Sequence, residues 1–286
     1  MVELKLEDEK YPKRLRKLKD APKNIYCEGN IDILNNLSIA IIGARKHDEY
    51  GVEQTKIFTS YLAQKGFTII SGLAKGIDTY AHEYSKRSEG KTVAVLPCGF
   101  NKIFPIENRQ LFYEIVENGG CIVSEYDPDT EVDMGHFRRR NRIISGLSVA
   151  TLVVEARHRS GSVITAHHAF NQLKPVFCIP GDINSTRSRG CNELIQEGAN
   201  LVIMPQDIID ILDFENIRIE NKKIKKLELD EDEIKVYNLI GTIPIIIDDL
   251  SRKSCIKIKK LSEILFNLEL KDLIKKIPGS AYVIKE

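Results

Sequence analysis

No excess of charge, no long apolar run and no cysteine-rich motif marks this chain of 286 residues. Its 42 Lys and Arg stand against 41 Asp and Glu, a formal net charge of +1, so no global field announces a nucleic-acid or membrane partner. No apolar stretch approaches the ~18 residues of a membrane span, and the opening MVELKLEDEKYPKRLRK offers no continuous h-region of a secretory signal. Cys27, Cys98, Cys121, Cys178, Cys191 and Cys255 are dispersed, without CxxC pairs or Cys/His ligand spacing. Zinc sites and disulfide frameworks are therefore poorly supported, and a reducing cytoplasm is the expected setting. Cys98, Cys121 and Cys178 sit in or beside apolar runs and read as buried structural thiols. At 42% hydrophobic and 29% charged, the composition excludes disordered, collagenous and low-complexity classes.

What is present is a rhythm. Short runs rich in Val and Ile recur: SIAIIG (38–43), FTIISG (67–72), TVAVLP (92–97), CIVSE (121–125), VATLVVEA (149–156), PVFCIP (175–180) and ANLVI (199–203). They are continuous rather than alternating, the pattern of strands covered on both faces. Helix-length amphipathic segments such as YGVEQTKIFTSYLAQKG lie between several of them. Repeated strand-helix units with right-handed crossovers predict an α/β domain over 1–215, an extended Rossmann-like, doubly wound, mostly parallel sheet, with 1–37 as a lead-in segment. Residues 216–228 turn basic and polar and read as a linker. Over 229–286 three helices precede a hairpin with Pro278 and Gly279 at its turn, the outline of a small winged-helix domain. Such a module either binds DNA or packs against protein.

The strand exits carry the chemistry. The run 38–43 passes into Gly43, Ala44 and Arg45 ahead of a helix, a glycine exit that lets a phosphate approach backbone N–H groups. It is not GxGxxG, so the dinucleotide fingerprint is absent. Arg45 is placed either to bind an anion or to close a salt bridge. The next run ends in Ser71-Gly72-Leu73-Ala74-Lys75-Gly76-Ile77-Asp78, a second glycine turn in which Asp78 is expected to cap the following helix and Lys75 to add a point charge. The connection EYDPDTEVDMGHFRRRNR is expected to be a basic loop at the entrance to an apolar helix, with Phe137 beside Arg138, Arg139, Arg140 and Arg142 around Asn141. Of fifteen arginines in the chain, eight fall between 138 and 189, so basicity hidden in the total is concentrated there. An aromatic beside arginines suits base stacking with phosphate neutralisation. Ser160-Gly161-Ser162 opens another helix with hydroxyl and N–H donors. His167 and His168 are adjacent on a helix and face different ways, which argues against a paired catalytic role. Most strand exits carry Gly, Ser and Arg rather than a coherent acid, base and nucleophile, a pattern that reads as binding phosphates rather than breaking bonds.

These residues resemble the DNA-processing protein A (DprA/Smf) family. The resemblance rests on I-G-A-R-K with Tyr50-Gly51, S-G-L-A-K-G-I-D with Ala81-His82, V-L-P-C-G with Phe104-Pro105 and Glu107-Asn108, S-E-Y, G-H-F-x-x-R-N-R-I-I-S-G-L-S, V-V-E-A, S-G-S-x-I-T-A and S-R-G-C-N-x-L-I-x-E-G-A, in the family's order over about residues 11–205. It implies a Rossmann domain that binds single-stranded DNA, dimerises and loads the recombinase RecA onto the strand during natural transformation, with neither turnover nor cofactor. By position, Gly43, Ala44 and Arg45 resemble the family's first phosphate pocket and Ser71, Gly72, Lys75 and Gly76 its second glycine loop. Phe137, Arg140 and Asn141 resemble the segment that clasps the strand, and Ser160, Gly161 and Ser162 a further phosphate contact. The family's small N-terminal helical domain is expected to be missing, and Met134 stands where some relatives carry a basic residue. Two other classes compete: a Rossmann-like phosphoribohydrolase, whose carboxylate after the Gly-rich loop has no counterpart in R-H-R-S-G-S-V-I-T, and a duplex-DNA regulator acting through the winged helix.

Overall fold

In a computed structural model, residues 1–214, 230–240, 245–254, 256–270, 273–277 and 281–284 are described. The chain divides into two compact units, residues 1–221 and 222–286. The expected linker 216–228, the turn at Pro278-Gly279 and Cys255 lie outside the described residues.

The first unit is built on β1 (Val2–Lys5), α1 (Lys13–Arg16), β2 (Asn24–Gly29), β3 (Ser38–Ile42), α2 (Glu49–Gln64), β4 (Thr68–Ser71), α3 (Ile77–Arg87), β5 (Thr92–Leu96), α4 (Arg109–Glu117) and β6 (Cys121–Ser124). It continues through α5 (Met134–Leu147), β7 (Ala150–Val153), α6 (Gly161–Asn171), β8 (Val176–Cys178), α7 (Arg189–Gln196), β9 (Asn200–Leu201) and α8 (Pro205–Phe214). All seven apolar runs are strands, and they pair in parallel. The nine-stranded order is β1-β2-β6-β5-β4-β3-β7-β8-β9. The chain therefore winds outward from β3 in one direction through β4, β5 and β6, then returns to the other side of β3 with β7. That reversal is a topological switch point, where helices on opposite faces diverge and leave a crevice beyond the carboxyl ends of β3 and β7.

The lead-in segment corrects the expectation drawn from it. Rather than a prelude to the sheet, it contributes β1 and β2, which pair antiparallel with each other and with β6 and extend the sheet at that edge. Tyr11 and Leu15 are fully buried beneath this extension, and the Tyr11 hydroxyl donates to Pro22 O at 2.7 Å.

Continuous apolarity in the central strands is explained by their burial: every residue of β3, β4, β5, β6 and β7 is buried. Alternate residues feed two cores. Ile39 and Ile41 join Phe58, Leu62 and Phe177 on one face, while Ala40 and Ile42 join Val93, Ile143 and Leu147 on the other. Five cysteines are buried and free. The Cys27 and Cys121 thiols share a hydrogen bond, as do Cys178 and Cys191, and these contacts together with burial hold Cys121 and Cys178 well above the ordinary thiol range. Inert filler, rather than nucleophile, is the chemistry this gives.

The second unit has α9 (Glu231–Tyr237), β10 (Ile245–Ile246), α10 (Ile247–Ser254), α11 (Ile258–Leu270), β11 (Ile274–Ile277) and β12 (Ala281–Ile284). β12 pairs antiparallel with both β11 and β10, so the expected hairpin gains a third, two-residue strand. Asp230 and Glu233 form a capping box that starts α9, and Val236, Leu250, Leu261, Leu265 and Ile274 fill the core.

Because Ile41 is buried on a strand paired on both sides, Ile41→Ala is expected to destabilise the first unit by about 2–5 kcal/mol. Ile57→Ala, on the solvent side of α2, is expected to stay within about 0.5 kcal/mol. Urea unfolding of both variants reads the difference.

Candidate nucleic-acid interface

The crevice at the switch point is a pocket of about 440 Å³. Its walls are the exit of β3 (Gly43, Ala44, Arg45, Lys46), the first turns of α5 (Phe137, Arg138, Asn141) and the exit of β7 with the start of α6 (Arg157, Arg159, Ser160, Gly161, Ser162). Nine of the thirteen residues singled out in the sequence line it, namely Gly43, Ala44, Arg45, Phe137, Arg140, Asn141, Ser160, Gly161 and Ser162. The loops are cross-tied: Ser162 Oγ donates to Gly43 O at 2.8 Å, and Asn141 Nδ2 donates to Gly161 O at 3.1 Å. Gly43 is required by packing, since a Cβ there would lie 2.7 Å from the Ile77 side chain.

The remaining four residues do not line the pocket. Ser71 is buried and donates to Ile41 O at 2.6 Å. Gly72 stands against the guanidinium of Arg140, whose Nη1 donates to Gly72 O at 2.6 Å and to Val95 O. Gly76 adopts φ +87°, with Ala44 O 2.4 Å from where a Cβ would be, so only glycine lets α3 start beneath the Arg45 loop. Lys75 is on the open surface, paired with Glu107 at 2.6 Å, and that hydrogen bond draws the Glu107 carboxyl below its usual range.

Two sequence expectations need correction here. Asp78 is not the cap of α3, whose N-cap is Gly76. Its buried carboxylate accepts from Gly72 N at 3.1 Å and faces Arg140; burial raises its pKa, and the arginine opposes the rise. The arginine run, expected as a loop, lies inside α5, so successive side chains rotate by about 100° and cannot form one patch. Arg140 is buried and its pKa is drawn down to about 10 by desolvation, with Asp78 opposing. Arg139 and Arg142 both reach Glu125 Oε1, at 3.0 and 2.7 Å, and Arg142 also meets Asp20 at 3.1 Å. Arg138 alone of the four is exposed without a salt bridge among the described residues.

The pocket nevertheless is cationic. Arg45, Lys46, Arg138, Arg157 and Arg159 line it and form no salt bridge among the described residues, while its one acidic lining residue among those described is Asp78. The guanidinium of Arg45 lies 5.1 Å from the centroid of the Phe137 ring, which in turn meets Phe104 edge-on at 5.7 Å. No side chain caps the start of α6, and the buried Ser160 Oγ there has no partner. Free N–H groups, an unsatisfied hydroxyl and unpaired arginines around one aromatic ring are the donors an anionic, base-bearing chain requires. Sequence reasoning missed Lys46, Arg157 and Arg159, although they adjoin the motifs it used. No group of three or more His, Cys, Asp or Glu is placed to hold a metal among the described residues, and no helix there is long and apolar enough to cross a membrane.

Residues 3–213 match the DNA recombination-mediator protein A family, and residues 223–280 match the DprA winged helix domain. The chain belongs to the DNA recombination-mediator protein A family. It is 42% identical to Protein Smf of Escherichia coli over 208 residues, which cover 73% of this chain but only 56% of that relative. It is 39% identical to the DNA processing protein DprA of Streptococcus pneumoniae, covering 72% of this chain and 73% of that one. The X-ray structure of the pneumococcal DprA superposes with a TM-score of 0.69 at 38% identity over 73% of each chain. A Helicobacter pylori DprA structure, described for its single-stranded DNA binding mode, superposes with a TM-score of 0.67 at 34% identity, over 74% of this chain and 96% of that one. The mostly parallel sheet and the winged helix are thus the architecture of the DNA recombination-mediator protein A family.

Behind the pocket, Glu155 at the end of β7 is buried against Gly51, with neither carboxylate oxygen hydrogen-bonded to a side chain and Arg187 Nε 3.9 Å away. Desolvation raises its pKa to about 7, aided by Asp48 and opposed by the Asp48 backbone N–H, Arg187 and Arg157. A carboxyl whose folded pKa exceeds its unfolded value of 4.5 holds a proton that the unfolded chain has lost, so stability falls as pH rises from about 4.5 to about 7. Glu155→Gln is expected to flatten that fall, seen as a smaller difference between urea midpoints at about pH 5 and about pH 8; equal differences in variant and wild type would refute it.

Proposed function

We propose that the chain captures single-stranded DNA at the switch-point pocket and delivers it to RecA during transformation and recombination, as a cytoplasmic homodimer without enzymatic turnover. The observation that carries the reading is the cation-π pair of Arg45 and Phe137 beside the uncapped start of α6. Arg45 and Arg159 neutralise phosphate, the α6 N–H groups and Ser160 donate to it, and Phe137 offers its face to a base without reading its edge. Gly43, Ala44, Gly161 and Ser162 give the backbone its close approach, while Arg140, Asn141, Ser71, Gly72 and Gly76 hold the walls. The single-stranded DNA binding of the Helicobacter relative supports the reading. RecA delivery rests on the family alone. Assembly with a second copy is supported by β9, the edge strand of the sheet among the described residues, near which Leu201, Ile203 and Met204 are exposed.

Hydrolysis of a nucleotide is disfavoured because Asp78 is locked between Gly72 and Arg140 and Glu155 faces Gly51 rather than the pocket. Duplex reading by the winged helix is disfavoured by α11, whose exposed residues include Glu263, Glu269 and Phe266 beside Lys257 and Lys259, with Lys260 tied to Asp232.

Fluorescence anisotropy with labelled oligothymidylate tests the proposal. Arg45→Ala is expected to weaken binding roughly tenfold to a hundredfold and to lower the log-log salt slope by about 0.7. Equal binding by wild type and variant, or preference for a matched duplex, overturns it. Removal of residues 222–286 is expected to leave oligothymidylate affinity within about threefold; loss of all binding would move the site to the winged helix.

A further inference from the structure

On the other side of α5 from the pocket lies a larger cleft, about 970 Å³, between residues 20–26 and the exit of β6. Arg138 lines both cavities, so the two are neighbours across one side chain. Around the cleft, polar groups are left half used. Glu125 Oε1 accepts from Arg139 and Arg142 while its Oε2 has no partner, and Arg142 Nη1 is likewise unpaired. The Tyr126 hydroxyl and His136 Nδ1 are also without partners, although their rings stack at 4.0 Å with an interplanar angle of 24°. Buried donors and acceptors in native proteins are ordinarily satisfied, so three orphans on the lining residues Glu125, Tyr126 and Arg142 point to a missing partner.

The chemistry of that partner is constrained. Glu125, Asp20 and Asp127 line the cleft against Lys23, Arg138, Arg139 and Arg142, so the charge nearly cancels and a phosphate would meet a carboxylate. An unpaired donor on Arg142 beside an unpaired acceptor on Glu125 instead matches a planar edge carrying an acceptor next to a donor, which every nucleobase has and phosphate lacks. Tyr126, backed by His136, supplies a face for stacking. We propose that the cleft is a second nucleotide subsite, receiving the base of a nucleotide that leaves the first pocket while Arg138 holds the phosphate between them. This rests on strand capture at the first pocket.

The test uses the full chain and photocrosslinking with oligothymidylates of about four and about twelve nucleotides substituted with 5-iododeoxyuridine, read by peptide mass spectrometry. Wild type is expected to crosslink the longer strand at Tyr126 or His136 as well as at Phe137. Tyr126→Ala is expected to lose roughly fivefold or more in affinity for the longer strand and little for the shorter, with Tyr126→Phe retaining most of it. Crosslinks at Phe137 alone overturn the second subsite whatever the variants do, and leave strand capture standing. Wild type that binds neither strand overturns both readings.

Discussion

Arg140 holds a full charge while almost wholly buried, and the architecture around the pocket is arranged to accommodate it. A guanidinium in such a place is tolerated only when its donors find carbonyls or a counter-charge. Here Gly72 O, Val95 O and the Asp78 carboxylate supply them, which means the exits of β4 and β5 and the first turn of α3 are all fixed relative to one helix. The next two residues of α5 repeat the arrangement in other directions. Asn141 holds the carbonyl of Gly161, and Arg142 holds Glu125 and Asp20. Three consecutive polar residues, each turned by about 100°, pin the helix to the sheet, to α6 and to the N-terminal extension. Phe137 and Arg138, four and three residues before Asn141, share its face and are thereby presented to the crevice.

This division of labour explains why a family of polar residues in one short segment does two different things. Residues that look basic in sequence are split into those whose charge is cancelled inside the fold and those left free at the rim. The rim cations, Arg45, Lys46, Arg138, Arg157 and Arg159, lie on three chain segments, and the exits of β3 and β7 come together because these are adjacent parallel strands, with Ile42 beside Val153. Pre-organisation follows from the same ties, since Ser162 and Asn141 fix the start of α6 before any anion arrives. Little reorganisation is then needed on binding.

Much of the fold was legible because parallel strands buried on both faces leave an unbroken Val/Ile signal, and all seven such runs proved to be strands. β1 and β2 were not legible: at a sheet edge they are only half covered, and VELK and NIYCEG carry polar residues that break the signal. The two-residue strand β10 is too short to have a period at all. In the site, two of the glycine exits read from the sequence come together in the fold, since Gly43 and Gly161 both line the pocket. Gly72 and Gly76 looked the same in sequence but serve packing, a difference that only the positions of Arg140 and the Ala44 carbonyl decide. The helical start of the arginine run was hidden because Arg138, Arg139 and Arg140 interrupt the apolar spacing that resumes at Ile143, Ile144 and Leu147.

The winged-helix unit shows the opposite electrostatic logic. Its third helix, α11, buries Leu261, Ile264, Leu265 and Leu268 and turns Glu263, Glu269 and Phe266 outward beside Lys257 and Lys259. A helix that enters a major groove passes between two rows of phosphates, where a carboxylate without a base donor to pair with meets repulsion. The rim of the switch-point pocket has five cations without a salt bridge among the described residues, and its acid is buried and answered by Arg140. Cationic chemistry is therefore concentrated at the sheet edge, and the mixed, partly apolar face of α11 is chemistry suited to a protein surface.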